Sequence, residues 1–231
     1  MLNNVLTIFS LFCFKYKKNL TKRTTVYIIL KNNEKIGEKR IIMNKIKDRK
    51  LKGNSVLQWV DDYVLVDIET TGLSPKENDI IEIGAIKVRN NKIIEEYESL
   101  IKINYNINPF ITKLTGITND MLKDGKNIEN VLTEFIKFTG NDVIMGHNVN
   151  FDINFIYDNC EKYLKSYLTN DFIDTMQIAK KILPNSQNYK LGTLAEKFDV
   201  SYKGAHRGLK DVEITYEVYN KLREYAKKHI K

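Results

Sequence analysis

The sequence predicts an α/β domain built on a mixed central β-sheet flanked by helices. Three strand-like segments come first, and helices alternating with short apolar strands follow, an order that argues for a mixed sheet. The 231 residues, 42% of them hydrophobic, suffice for one good-sized core plus an appendage.

The orderly pattern begins near Trp59. "YVLVDIE" (63–69) reads as a strand and "TTGLSPKEND" (70–79) as the turn closing it. "IIEIGAIKV" (80–88) and "KIIEEYESLIKI" (92–103) are two more strands, joined by the hairpin signal "RNN". "NIENVLTEFIKF" (127–138) spaces Ile128, Val131, Leu132, Phe135 and Ile136 as one helical face. "DVIMGHN" (142–148) is a short apolar strand ending in polar residues. "FIDTMQIAKKIL" (172–183) starts as a strand and becomes a helix that stops before Pro184. "LGTLAEKF" (191–198) and "GLKDVEITYEVYNKLREYAKKH" (208–229) are helical.

Residues 1–55 differ in composition and read as a basic N-terminal extension or linker, with the catalytic domain at 56–231. The formal charge of +8 is unevenly spread: 1–55 hold 14 Lys and Arg against 3 Asp and Glu, leaving 23 basic and 26 acidic residues beyond. The extension is thus +11 and the body −3, so the overall basicity says little about nucleic-acid binding by the body. The apolar "VLTIFSLFCF" (5–14) is shorter than the ~20 residues that span a bilayer, and it lacks a signal-peptide cleavage pattern. Translation starting at Met43 is the favoured reading and a short membrane anchor the minority one. No membrane partner is expected. Cys13 and Cys160 stand apart, without metal or redox spacing, which fits a reducing, cytoplasmic location.

Residues i and i+2 of a strand share a face, so Asp67 and Glu69 project side by side at the end of an apolar run. Alone, the pair would be an ordinary edge-strand surface feature. Asp152, in "HNVNFD" (147–152), opens a helix whose Phe155 and Ile156 follow at three and four residues, which puts it on the apolar face. A helix-start acid favoured by the macrodipole is the ordinary reading. In "HRGLKD" (206–211), His206 falls in a loop or first turn and Asp211 one turn into the helix. Together the three segments bring four carboxylates to the edges of apolar elements. Four converging carboxylates need cations, and oxygen-only ligation suits Mg²⁺ or Mn²⁺. Two such ions support phosphodiester hydrolysis, and His206 is then the expected general base.

"DIETTG", "HNVNFD" and "HRGLKD", with "LTGIT" (114–118) between the first two, resemble the motifs of the DEDDh exonuclease family, which includes the proofreading epsilon subunit and the exonuclease domain of Gram-positive replicative polymerases. The likeness runs from about Tyr63 to Tyr225. It implies a ribonuclease H-like fold and 3′→5′ removal of nucleotides from nucleic-acid 3′ ends, single-stranded or frayed. By that resemblance Asp67, Glu69 and Asp211 hold one divalent ion, Asp67 is shared with a second, and Asp152 acts partly through water. It also implies substrate contacts at Thr70, Thr71, Gly72 and Leu73. Phe151 packs near the same nucleotide or in the core. His147 and Asn148 brace the site, Gly116 and Ile117 shape the pocket floor, and Trp59 covers the sheet edge. DNA is the expected substrate, RNA the alternative within the fold. A non-catalytic module binding nucleic acid or a DNA polymerase is the alternative of a different class.

Overall fold

The computed structural model describes residues 48–229. Met43 and residues 5–14, which carry the alternative start and the anchor reading, lie outside the described residues. Six strands form one sheet: β1 (Ser55–Val56), β2 (Tyr63–Thr70), β3 (Ile80–Arg89), β4 (Lys92–Leu100), β5 (Ile144–Gly146) and β6 (Phe172–Asp174). Their order is β1-β6-β5-β2-β3-β4. The β2-β3-β4 side is antiparallel, and β1, β6, β5 and β2 run parallel. Around the sheet, among the described residues, lie α1 (Pro109–Thr115), α2 (Asn119–Lys123), α3 (Ile128–Thr139), α4 (Asn150–Asn159), α5 (Thr175–Ile182), α6 (Leu191–Lys197) and α7 (Gly208–His229). A π-helical turn, Cys160–Leu164, prolongs α4. The expected mixed sheet flanked by helices is therefore the observed one.

The β3–β4 hairpin turns on Asn90 and Asn91, whose φ values of 49° and 57° are those of a primed turn, where Asn is tolerated. Regular β4 stops at Leu100, sooner than the sequence pattern suggests, and Ile101 makes an isolated bridge to Lys126. α1 and α2 escape a periodicity reading because each is two turns or fewer. Their boundaries are nonetheless written in the chain. The Asn108 side chain accepts from the Phe110 N–H before Pro109 at the helix start, and Thr118 caps α2 by accepting from the Met121 N–H. Gly116 ends α1 at φ 74°, and Ile117 is buried with Ile81, Ile107 and Leu122. Trp59, three residues beyond edge strand β1, packs its ring against Tyr219 of α7, centroids 5.3 Å apart.

Strand alternation decides what faces the site. Val64, Val66 and Ile68 of β2 point into a core shared with Leu132 and Phe135 of α3 and with Ile153, Phe155 and Ile156 of α4. Tyr63 and Leu65 point the other way, with Ile86 and Val88, onto Val212 and Tyr219 of α7. Burying each aliphatic side chain stabilises by about 1.5–3 kcal/mol, so a one-residue slip of β2 would invert both faces at prohibitive cost. Asp67 and Glu69 continue the parity of Tyr63 and Leu65. They are thereby delivered to the α7 face.

Two glycines bring α7 within reach of them. Gly84 is the cross-strand partner of Asp67. A Cβ on Gly84 would lie 2.1 Å from the backbone carbon of Gly208, and one on Gly208 would lie 2.8 Å from the Gly84 nitrogen. The first residue of α7 thus rests directly on the sheet backbone, with no side chain between. Beyond Glu69 the pairing of β2 with β3 shifts register, and the strand passes into the loop at Thr70.

Candidate metal centre and active site

Asp67, Glu69 and Asp211 each place a carboxylate oxygen so that the three lie within 4.8 Å of one another. Asp67 and Glu69 come from the last turn of pleat in β2, and Asp211 from the first turn of α7. Asp211 is buried, and the His206 N–H donates to its Oδ2 at 3.1 Å. Its Oδ1 is buried without any hydrogen-bond partner. An acceptor left so costs about 1–3 kcal/mol unless something fills the place. Asp152, buried at the start of α4, arrives from the opposite face and accepts from the Ile68 N–H at 3.1 Å. All four sequence-predicted carboxylates therefore surround the end of β2.

Their electrostatics are those of crowded, buried acids. Burial pushes the Asp67 carboxyl well above the usual range, with Asp152, Asp211, Glu69 and Glu82 adding repulsion. Burial raises Asp152 similarly, against the pull of its backbone hydrogen bonds. Glu69 is pushed up to about 8, first by burial and then by Asp211 and Glu82, while Arg207 opposes the shift. Burial raises Asp211 too, with the His206 N–H working against it. A hard, all-oxygen donor set with an orphaned buried oxygen fits a divalent cation.

His206 is exposed beside this cluster with a left-handed backbone, φ 68°. Its ring meets the Tyr202 ring edge-on, centroids 6.3 Å apart, and makes no hydrogen bond among the described residues. The Tyr202 hydroxyl is raised by burial and then by Asp211, Asp67 and Glu69, which places that phenol on the rim of the cluster.

The loop after β2 is tied at its base and open at its tip. The Thr70 hydroxyl donates to the Gly72 carbonyl at 2.6 Å. Thr71 Oγ1 accepts from the Asp79 N–H at 3.0 Å and lies 3.3 Å from the Tyr105 hydroxyl, which itself donates to Asp79 at 2.6 Å. At Gly72 a Cβ would meet the Asn78 side chain at 2.6 Å, so a larger residue there would displace the amide that accepts from the Ser74 N–H. Leu73 is 86% exposed, an apolar side chain left in solvent next to the cluster.

The remaining expected residues divide differently. Phe151 packs its ring on Phe155, centroids 4.9 Å apart, at the border of the core. His147 is directed away from the carboxylates: its Nδ1 lies 3.0 Å from Thr175 Oγ1 and its Nε2 2.8 Å from the Tyr189 carbonyl. Asn148 takes a left-handed φ of 62°, and its N–H donates to Asp174. Both residues fasten the β5–α4 turn to the start of α5.

Sequence reasoning missed Glu82 and Arg207. Glu82 is wholly buried on β3, the cross-strand partner of Glu69. Arg207 Nε and Nη2 donate to it at 3.0 and 2.7 Å, and the Gly208 N–H donates at 2.8 Å. The available signal was an acid interrupting "IIEIGAIKV" at a position facing the same side as Asp67 and Glu69.

The RNase T exonuclease family model matches residues 64–219. The chain is 35% identical over 180 residues to DNA polymerase III subunit epsilon of Aquifex aeolicus, covering 78% of this chain and 85% of that protein. It is 41% identical over 172 residues to the PolC-type DNA polymerase III of Caldanaerobacter subterraneus subsp. tengcongensis, of whose length it spans only 12%. Among solved structures it resembles E. coli exonuclease I in complex with a dT13 oligonucleotide, at a TM-score of 0.62 and 19% identity over 73% of this chain and 42% of that one. It also resembles exonuclease X in complex with 5′ overhanging duplex DNA, at a TM-score of 0.56 and 24% identity over 72% and 92%. With the family model spanning every carboxylate of the cluster and an epsilon subunit matched along most of its length, the chain belongs to the exonuclease family.

Proposed function

We propose that this protein is a divalent-metal-dependent 3′→5′ exonuclease that releases nucleoside monophosphates from DNA 3′ ends, through a catalytic domain spanning 56–231. The observation that carries this reading is the gathering of carboxylate oxygens of Asp67, Glu69 and Asp211 within 4.8 Å of one another, with Asp211 Oδ1 buried and unpartnered. Asp67, Glu69 and Asp211 would hold one Mg²⁺ or Mn²⁺, with Asp67 and Asp152 turned to a second. Such ions would supply a nucleophilic water at neutral pH and neutralise charge on the leaving oxygen.

The chain's own residues do the rest. His206 takes the proton of the attacking water, and its exposure lets it pass that proton to solvent. The loop from Thr70 to Leu73 leads from the last carboxylate of β2, so a terminal nucleotide lying over it has its phosphate at the cluster. Leu73 offers an apolar surface to the base, with Phe151 at the opposite border. The Thr70 and Thr71 hydroxyls, the Thr71 N–H and the Gly72 carbonyl are used to hold the loop, so the sugar and phosphate meet its remaining backbone groups.

Relatives named as DNA polymerase III proteins, and fold neighbours solved with DNA, support DNA over RNA. The same names suggest a DNA polymerase as protein partner. A cytoplasmic location accords with them, and no helix among the described residues is long and apolar enough to cross a membrane. Digestion of matched 5′-labelled and 3′-labelled DNA and RNA oligomers with Mg²⁺ or Mn²⁺ tests the reading. A ladder from the 5′-labelled DNA, with mononucleotide from the 3′-labelled one, is expected. Faster digestion of RNA, internal cuts, or mononucleotide from the 5′ label would overturn it.

A further inference from the structure

Glu82 is an acid buried to 0% exposure that is not one of the three gathered carboxylates, although it lies across from Glu69. A buried charge is kept only if it is paired, and here the pairing is thorough. Glu82 Oε1 accepts from Arg207 Nε at 3.0 Å and Nη2 at 2.7 Å, while Oε2 accepts from Nε at 3.2 Å and the Gly208 N–H at 2.8 Å. The guanidinium fork and the helix-start N–H both terminate on one carboxylate rooted in β3.

What this restrains is the residue next door. His206 holds φ 68°, a left-handed conformation that costs a non-glycine residue about 1–3 kcal/mol and persists only where its surroundings impose it. On one side its N–H is bound to Asp211 Oδ2 at 3.1 Å. On the other side follow Arg207, gripped by Glu82, and Gly208, seated on Gly84. The Asp211 N–H closes the ring by donating to the Arg207 carbonyl at 2.9 Å.

We propose that Glu82 and Arg207 are positioning residues, whose ion pair clamps the backbone that holds the His206 imidazole beside the carboxylate cluster. The inference rests on the reading of His206 as general base. It adds a job for two residues outside the gathered carboxylates. A residue misplaced by about 1 Å costs on the order of 10²-fold in rate, so the clamp acts on kcat and leaves KM alone.

The test is a double-mutant cycle on a 5′-labelled single-stranded DNA oligonucleotide with Mg²⁺, using Arg207→Lys, Glu82→Gln and His206→Ala. Lysine keeps the charge but cannot make the fork. Arg207→Lys and Glu82→Gln should each lower kcat by about 10–100-fold with KM unchanged. In the His206→Ala background each should cost less than about twofold more, because residues acting as one unit are not additive. An undiminished loss in that background would overturn the clamp and assign the pair to the carboxylates instead.

A second arm needs neither metal nor turnover. The chain has 3 histidines, so the His206 imidazole signal can be assigned by its disappearance in His206→Ala. In metal-free protein it should shift or broaden in Glu82→Gln and Arg207→Lys, with His147 and His229 unmoved. An unmoved His206 signal would overturn the proposal. If Arg207→Lys does not fold, the double variant Glu82→Gln/Arg207→Gln, which removes both buried charges together, replaces it. A wild type without His206-dependent hydrolysis would refute the exonuclease reading, while the imidazole arm still decides the clamp.

Discussion

"HNVNFD" and "HRGLKD" have the same spacing, a histidine five residues before an aspartate. Each also contains a left-handed residue, Asn148 at φ 62° and His206 at φ 68°. In both, the aspartate enters the first turn of a helix and ends at the tip of β2. The histidines part company. His147 has both ring nitrogens engaged, by Thr175 and by the Tyr189 carbonyl, and burial holds its pKa below the ordinary value. His206 is exposed, and its ring makes no hydrogen bond among the described residues. The lesson is that spacing positions an acid on a helix, whereas proton transfer depends on what the ring is left free to do.

The comparison can be broken hardest at the acids. Asp211→Asn, nearly isosteric, should lower kcat by on the order of 10⁴-fold, as for members of a catalytic unit, with the fold intact by circular dichroism. Retained activity would remove Asp211 from the site. Next comes His206→Ala, for which a loss of about 10²–10⁴-fold in kcat is expected with little change in Tm. His147→Ala should show the inverse pattern. It leaves the Tyr189 carbonyl without its partner and Thr175 Oγ1 with only the Gly146 carbonyl, at a cost of about 1–3 kcal/mol in unfolding free energy, with a far smaller kcat loss than His206→Ala. Equal kcat losses for the two variants would erase the distinction drawn between them.

The smallest expected effect concerns pH. Glu69 titrates near 4.5 when unfolded and at about 8 when folded without metal, so the native state holds the extra proton between those values. The contribution of that protonated carboxyl is present below about 4.5 and is lost as pH rises toward about 8. In EDTA, Tm should therefore fall across that window, and Glu69→Gln should flatten the slope. Adding Mg²⁺ or Mn²⁺ should raise Tm more at pH 8 than at pH 5, because the ion and the proton compete for the same oxygens. A Tm indifferent to both metals at pH 8 would count against the metal centre.

Much of this was legible beforehand where a periodic pattern met a chemical requirement. The parity of β2 announced Asp67 and Glu69 on one face, and the stripe of α7 gave its bounds and the place of Asp211. The two histidines could not be told apart, since the partners of His147 lie 28 and 42 residues away. Glu82 stayed hidden for the same reason: its meaning depends on Arg207, 125 residues later. The short α1 and α2 lacked the length that makes periodicity visible, although Asn108–Pro109 and Thr118 marked their starts.

The contact of Gly84 with Gly208 has a consequence for how such a protein can diverge. On the proposed function, chemistry hangs on two main chains touching, and recognition on a solvent-facing loop that shares only one strand end with them. The distance between Asp211 and β2 is set at that main-chain contact and not by the loop, so the tip of the loop, between its ties at Thr71 and Asp79, can change sequence without moving the acids. Preference for a different nucleic-acid end can then be acquired without re-evolving hydrolysis.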